Sequence, residues 1–174
     1  IIILEPDAIC HTDCLDAAGL AKRMSLLSAA VDTLTAAGGL IYIDAGDSNW
    51  IPGSTVAERL VLSGVKKAAG FALNVSHTEY DANEHKFAAG LRAVLGDTVN
   101  YVIDTSRNGA GSTTKEWCNP LQAKLGLNPT LVTNVPGCDA YLWVKRPGES
   151  DGECNGGPKA GKWWAEYARK LAIR

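Results

Sequence analysis

Carboxylates recur along this chain at the ends of short apolar runs: Asp7 just after Glu5, then Asp44 and Asp47, Asp104, and Glu149 with Asp151. Acids gathered in this way can supply a general acid and a facing base. One carboxyl must be protonated to release a leaving group, while the other stays ionised as base or nucleophile, the pair that glycoside hydrolysis uses. Taken singly, each acid fits a loop cap or a surface ion pair at least as well. Spacing alone does not make any two of them face. Other polar side chains fall in the same places: Asn74, His77, Arg107 and Lys145. Trp50 and Trp117 sit in polar loops, where an indole can lay a flat face on the C–H face of a sugar and donate its N–H to a hydroxyl. A ring folded back over the core is the alternative. Trp143, Trp163 and Trp164 lie on strand and helix patterns and read as packing.

The elements that must position these residues alternate regularly. Ile1–Glu5, Leu40–Asp44, Gly70–Asn74, Tyr101–Asp104 and Ala140–Lys145 are nearly continuous apolar runs, as expected of strands buried on both faces. Between and after them lie helical patterns over Leu15–Ala37, Ser54–Ser63 with Ser54 as N-cap, Asp81–Leu95, and Pro158–Ala172 with Pro158 in the first turn. The stretch Asn108–Pro136 is rich in Gly, Thr, Asn and Pro and predicts long loops with a short helix at most. The alternation predicts parallel βα units of an α/β fold. In a barrel the polar residues after each strand would share one rim, and in an open sheet they would converge at a switch point.

Composition narrows the classes further. With 174 residues, 46% of them hydrophobic, the chain suits one domain with a sizeable core, taken as 1–174. A net charge of -2 provides no basic stripe for nucleic acid, and no apolar run approaches a membrane span. There is no G-x-G-x-x-G and no phosphate-loop Gly-Lys-Ser/Thr. The five cysteines have no zinc spacing, and their odd number leaves at least one unpaired within the chain. The chain opens on Ile1-Ile2-Ile3-Leu4 without Met, which predicts that upstream sequence belongs to it.

Four ordered blocks carry a resemblance: Ile3-Leu-Glu-Pro-Asp-Ala8; Tyr42-Ile-Asp-Ala-Gly46 through Trp50; Val102-Ile-Asp-Thr-Ser-Arg-Asn-Gly109 with Glu116-Trp-Cys-Asn119; and Leu142-Trp-Val-Lys-Arg-Pro-Gly-Glu-Ser-Asp-Gly152. Together they span nearly the whole chain and resemble glycoside hydrolase family 6, the inverting endoglucanases and cellobiohydrolases. The resemblance implies a distorted parallel β/α barrel, incomplete here because its N-terminal strands are missing. It puts Asp7 on the proton donor and Asp151 on the acid usually proposed as base. Trp50, Trp117, Lys145 and Glu149 fall on sugar-binding positions, Asp44, Asp104 and Arg107 are supporting residues, and Cys118 and Cys154 match a disulfide. It further implies a secreted monomer acting on a β-glucan polysaccharide or cello-oligosaccharide, with no metal or cofactor.

Two positions depart from the family pattern. Asp47 stands where the family has His, and His77 where it has a sugar-contacting Asn, so a reciprocal exchange is expected in which the two hydrogen-bond. An inverting enzyme needs its carboxyls roughly 6.5–9.5 Å apart to admit water, and its acid needs burial or a nearby like charge to keep its proton. The family's second Asp for that purpose lies upstream of Asp7 and is absent from this chain, so little activity is expected of the chain alone. Only Glu153–Gly157 separates the last block from the final helical pattern, which favours an open cleft and internal cleavage over the roofed cleft of a cellobiohydrolase. A non-catalytic β-glucan-binding protein and an unrelated barrel enzyme of phosphorylated sugars are the competing readings.

Overall fold

Apolar runs without alternation cannot leave either face in water, and all five become strands of one parallel sheet. The computed structural model describes residues 1–111 and 116–173, so 112–115 of the loop stretch predicted over 108–136 lie outside the described residues. The strands are β1 (Ile2–Leu4), β2 (Ile41–Asp44), β3 (Gly70–Leu73), β4 (Asn100–Asp104) and β5 (Cys138–Leu142), and they pair in the order β1-β2-β3-β4-β5. Every residue of β2 and β3 is buried. Alternate side chains feed two cores. Ile41, Ile43, Phe71, Leu73, Tyr101 and Ile103 pack under the helices, while Tyr42, Ala72, Val102 and Ala140 form a smaller cluster on the other face. Between β3 and β4 the backbones approach so closely that a Cβ on Gly70 would lie 1.9 Å from the Asn100 carbonyl oxygen.

The helices are α1 (Ala17–Ala36), α2 (Gly53–Leu62), α3 (Asp81–Leu95) and α4 (Ala165–Ala172). Asp16 caps α1, its carboxylate accepting the Gly19 N–H at 2.7 Å. Ser54 is not the cap of α2: Pro52, fixed at φ -56, takes that position without a side-chain bond. The predicted helix Pro158–Ala172 is halved. Gly161 turns the chain at φ +78, and residues 161–164 spend their backbone groups on the segment 148–150 instead. Gly161 N–H donates to Ser150 O, Ser150 N–H to Lys162 O and Trp164 N–H to Gly148 O, at 2.8–2.9 Å. Of its predicted apolar stripe, Tyr167 and Leu171 are buried and Trp164 stacks on Tyr167, but Trp163 is 66% exposed rather than packed. Trp143 is half-buried, with its Nε1–H on the Leu127 carbonyl at 2.8 Å.

β5 ends at Leu142, three residues before the predicted Lys145, because the Lys145 N–H turns away to the Asp104 carboxylate at 2.9 Å. Cys118 and Cys154 form a disulfide across a separation of 36 residues. Cys10 and Cys138 are buried thiols and Cys14 an exposed one. Among the described residues no helix is long and apolar enough to cross a membrane.

Candidate active site

The acids that end β2 and β4 are fasteners beneath the rim. Asp44 is buried and accepts the Asp7 N–H at 2.7 Å, fixing the loop after β1. Burial pushes the Asp44 carboxyl up to about 7, against the lowering effect of that Asp7 N–H. Asp104, also buried, accepts the N–H groups of Ser76, Lys145 and Ser106, each at 2.9 Å, and so gathers three connections at once. The loops it ties are tightly bent. Glu5 and Asp7 after β1, and Asn74 and Ser76 after β3, all have φ between 49° and 70°, a region that costs non-glycine residues energy and tends to mark functional sites.

Asp7 is exposed at the rim, so the burial expected around it is not found among the described residues. Asp151 is held far more firmly. Its carboxylate receives Arg107 Nη1 at 2.5 Å, Lys145 Nζ at 2.9 Å and the Asn119 N–H at 2.8 Å. Burial works to raise the Asp151 pKa, but the Arg107 charge and the hydrogen bonds outweigh it and hold the carboxyl below its ordinary range. Arg107 is itself fully buried, its Nη2 donating to the carbonyl and hydroxyl oxygens of Ser76. Lys145 also lies 4.0 Å from Glu149, which pairs with Arg146. Asp7, His77, Trp117, Lys145, Glu149 and Asp151 line one open hollow of about 320 Å³. A larger depression of about 860 Å³ lies on the other side of Asp7, between β1 and α1. Its walls mix Leu and Ala with Glu5, His11, Lys22 and Arg23, and Asp151 does not line it, so the smaller hollow is the one that Asp7 and Asp151 share.

Asp47 and His77 meet as the exchanged positions predict: His77 Nδ1 lies 2.5 Å from Asp47 Oδ2. Burial would lower the His77 pKa, yet the hydrogen bond and charge of Asp47, with Asp7 and Asp44 behind, raise it. Trp50 sits beside this pair, its ring 5.2 Å from the His77 ring, and is 36% exposed. The turn that allows it is specific. Gly46 has φ +73, and a Cβ there would fall 2.5 Å from Cys10 Sγ and 3.1 Å from the Trp50 ring. Trp117, 64% exposed, stands next to the disulfide that ties its loop to the one carrying Asp151.

Two site residues escaped the sequence reading. Asn119 accepts the Asp151 N–H at 2.8 Å and donates to Gly152 O at 2.7 Å, and Ser76 supplies the acceptors of Arg107. Nothing in an Asn or Ser of a polar loop announces such a role, although Asn119 did fall inside one of the four blocks. Among the described residues no group of three or more His, Cys, Asp or Glu side chains is arranged to hold a metal ion.

Comparison with known proteins adds a family to this geometry. The model of glycosyl hydrolases family 6 matches residues 1–174. Endoglucanase A of Cellulomonas fimi is 46% identical over 172 residues, covering 99% of this chain and 37% of its own length. Endoglucanase 1 of Streptomyces sp. (strain KSM-9) is 41% identical, over 90% of this chain and 44% of its own length. Among solved structures, the endoglucanase Cel6 from Mycobacterium tuberculosis, in complex with methyl-cellobiosyl-4-deoxy-4-thio-β-D-cellobioside, superposes with a TM-score of 0.92 at 44% identity. That match covers 98% of this chain and 60% of the other. The chain thus spans less than half the length of these two curated relatives.

Proposed function

The chain belongs to glycosyl hydrolases family 6, and from that membership we propose that it carries the paired carboxyls of an inverting endo-β-1,4-glucanase. The observation that supports this most is the single open hollow shared by Asp7 and Asp151, with Trp117, Lys145, Glu149 and His77 around it. In the proposed reaction Asp7 gives its proton to the glycosidic oxygen as the bond from that oxygen to C1 breaks. A water attacks C1 from the opposite face and loses its proton toward Asp151, leaving the inverted hemiacetal. Arg107 and Lys145 keep Asp151 ionised, so its strength lies in fixed position and in negative charge facing the developing oxocarbenium rather than in high basicity. Trp50 and Trp117 are platforms for sugar rings, and Lys145 and Glu149 partners for hydroxyls. Asp47 and His77 together replace the family's donor and acceptor.

Internal cleavage is favoured over chain-end release because the connection after Asp151 is only a short turn, Cys154–Gly156, and because the relatives at 46% and 41% identity are named endoglucanases. The disulfide suits an oxidising compartment and hence a secreted enzyme, here one acting on cellulose or related β-glucans. The test uses the catalytic domain that contains this chain, on soluble cellulose. Viscosity should fall faster than reducing ends accumulate, and the first-formed sugar should be the α-anomer. Asp7→Asn should lower kcat by about 10²- to 10⁴-fold, with much smaller loss on a glycoside whose leaving group needs no proton. Binding of glucan without release of reducing sugar would sink the enzyme reading in favour of a binding protein.

A further inference from the structure

One buried acid lies behind the site and is not used by the chemistry above. Glu84, in the first turn of α3, is 0% exposed. Its Oε1 accepts the Ser48 N–H at 2.8 Å, and its Oε2 is buried with no hydrogen-bond partner among the described residues. Ser48 is flanked by Asp47, which holds His77, and it lies two residues before Trp50. The loop that carries Asp47 and Trp50 is thus anchored from below by a side chain of α3.

We propose that Glu84 is a positioning residue for the substrate-binding loop Asp47–Trp50, clamping Ser48 while its carboxyl is neutral and releasing the loop when that carboxyl ionises. This rests on the glucan reading of the hollow. The geometry favours the neutral form: a full charge buried with one oxygen unpartnered costs far more than a neutral carboxyl in the same place. The surrounding charges agree. Burial, with the negative charges of Asp47 on the loop and Glu79 before α3, pushes Glu84 up to about 8 despite the Ser48 contacts that oppose the shift. The N-terminal end of α3 favours a charged acid by about 1 kcal/mol at most, too little to reverse full burial. Leucine would fill the same space but strand the Ser48 N–H, whereas glutamine keeps an acceptor and cannot ionise.

The test compares the catalytic domain with its Glu84→Gln variant, following cellotetraose affinity and the assigned His77 ring resonances from pH 6 to 9.5. A loop released by ionisation weakens wild-type affinity about tenfold between pH 7 and pH 9. Glu84→Gln should match the wild type at pH 6 and stay within about twofold of that value at pH 9, on the same population argument. In the absence of sugar, the His77 signals should show, besides the ring's own titration, a second inflection near pH 8 in the wild type that Glu84→Gln lacks. Identical pH profiles in the two proteins would overturn the proposal, as would a Glu84→Gln variant already tenfold weaker at pH 6. Failure of both proteins to bind cellotetraose at every pH would instead overturn the glucan reading, with the His77 inflection still deciding whether Glu84 holds the loop.

Discussion

Asp47 and His77 form a pair that neither residue type would make useful alone. Paired, they put a stiff imidazole between Trp50 and the hollow, and the raised His77 pKa gives a sign to its effects. A histidine whose folded pKa lies above its unfolded value adds stability that is complete below the unfolded value and fades as pH rises through the folded one. Asp47→Asn should therefore lower the His77 midpoint, because burial is then opposed only by the more weakly acting Asp7 and Asp44, and NMR titration of the ring measures this directly. The same variant should lose about 1 kcal/mol at pH 5 and much less at pH 9, by denaturant unfolding. This pair was legible in the sequence because two departures from one family pattern invited a reciprocal explanation. Glu84 was not legible: an acid in the first turn of a helix is ordinary on the surface, and only the fold puts the Asp47–Trp50 loop on top of it. Nor does an Arg in a polar loop foretell a fully buried side chain such as Arg107, whose burial depends on Asp151 arriving from 44 residues away.

At the scale of elements, the parallel strands were readable because burial on both faces leaves an uninterrupted apolar signature. The final helix was readable only in part. Its stripe of Tyr167 and Leu171 is real, but Trp163 and Trp164 continued the period into a segment whose glycine and backbone partners make it a ladder instead. Periodicity reports side chains, and here the backbone bonds to 148–150 decided. Two substitutions test what holds the elements. Gly70→Ala should cost at least about 3 kcal/mol, because the added methyl meets the Asn100 backbone rather than a side chain that could yield. Replacing Cys118 and Cys154 by Ser opens a loop of 36 residues and should cost about 3 to 4 kcal/mol by chain entropy. Thermal unfolding reads both. The disulfide variant should also weaken glucan binding, since Trp117 and Asp151 lie on the two loops it joins.

For the whole molecule, the buried acids set how stability follows pH. Asp44 and Glu84 have folded pKa values of about 7 and about 8, so their contribution is complete below about pH 4 and is lost as pH rises through those values. Asp151 has the opposite sign, its contribution being lost as pH falls through its lowered pKa. The melting temperature should therefore peak at about pH 4 to 5 and decline toward pH 9. Asp44→Asn and Glu84→Gln should each flatten the alkaline decline without moving the acid one. A melting temperature that rises from pH 5 to pH 9 would contradict this account. The strand order β1-β2-β3-β4-β5 has a further consequence. Because the order never doubles back, residue number serves as a compass bearing around the rim, from Asp7 at one end of the sheet to Asp151 at the other. The bearings are not independent, because Arg107 after β4 joins Ser76 after β3 to Asp151 after β5. A loop grafted from a relative would therefore have to bring its neighbours' partners with it.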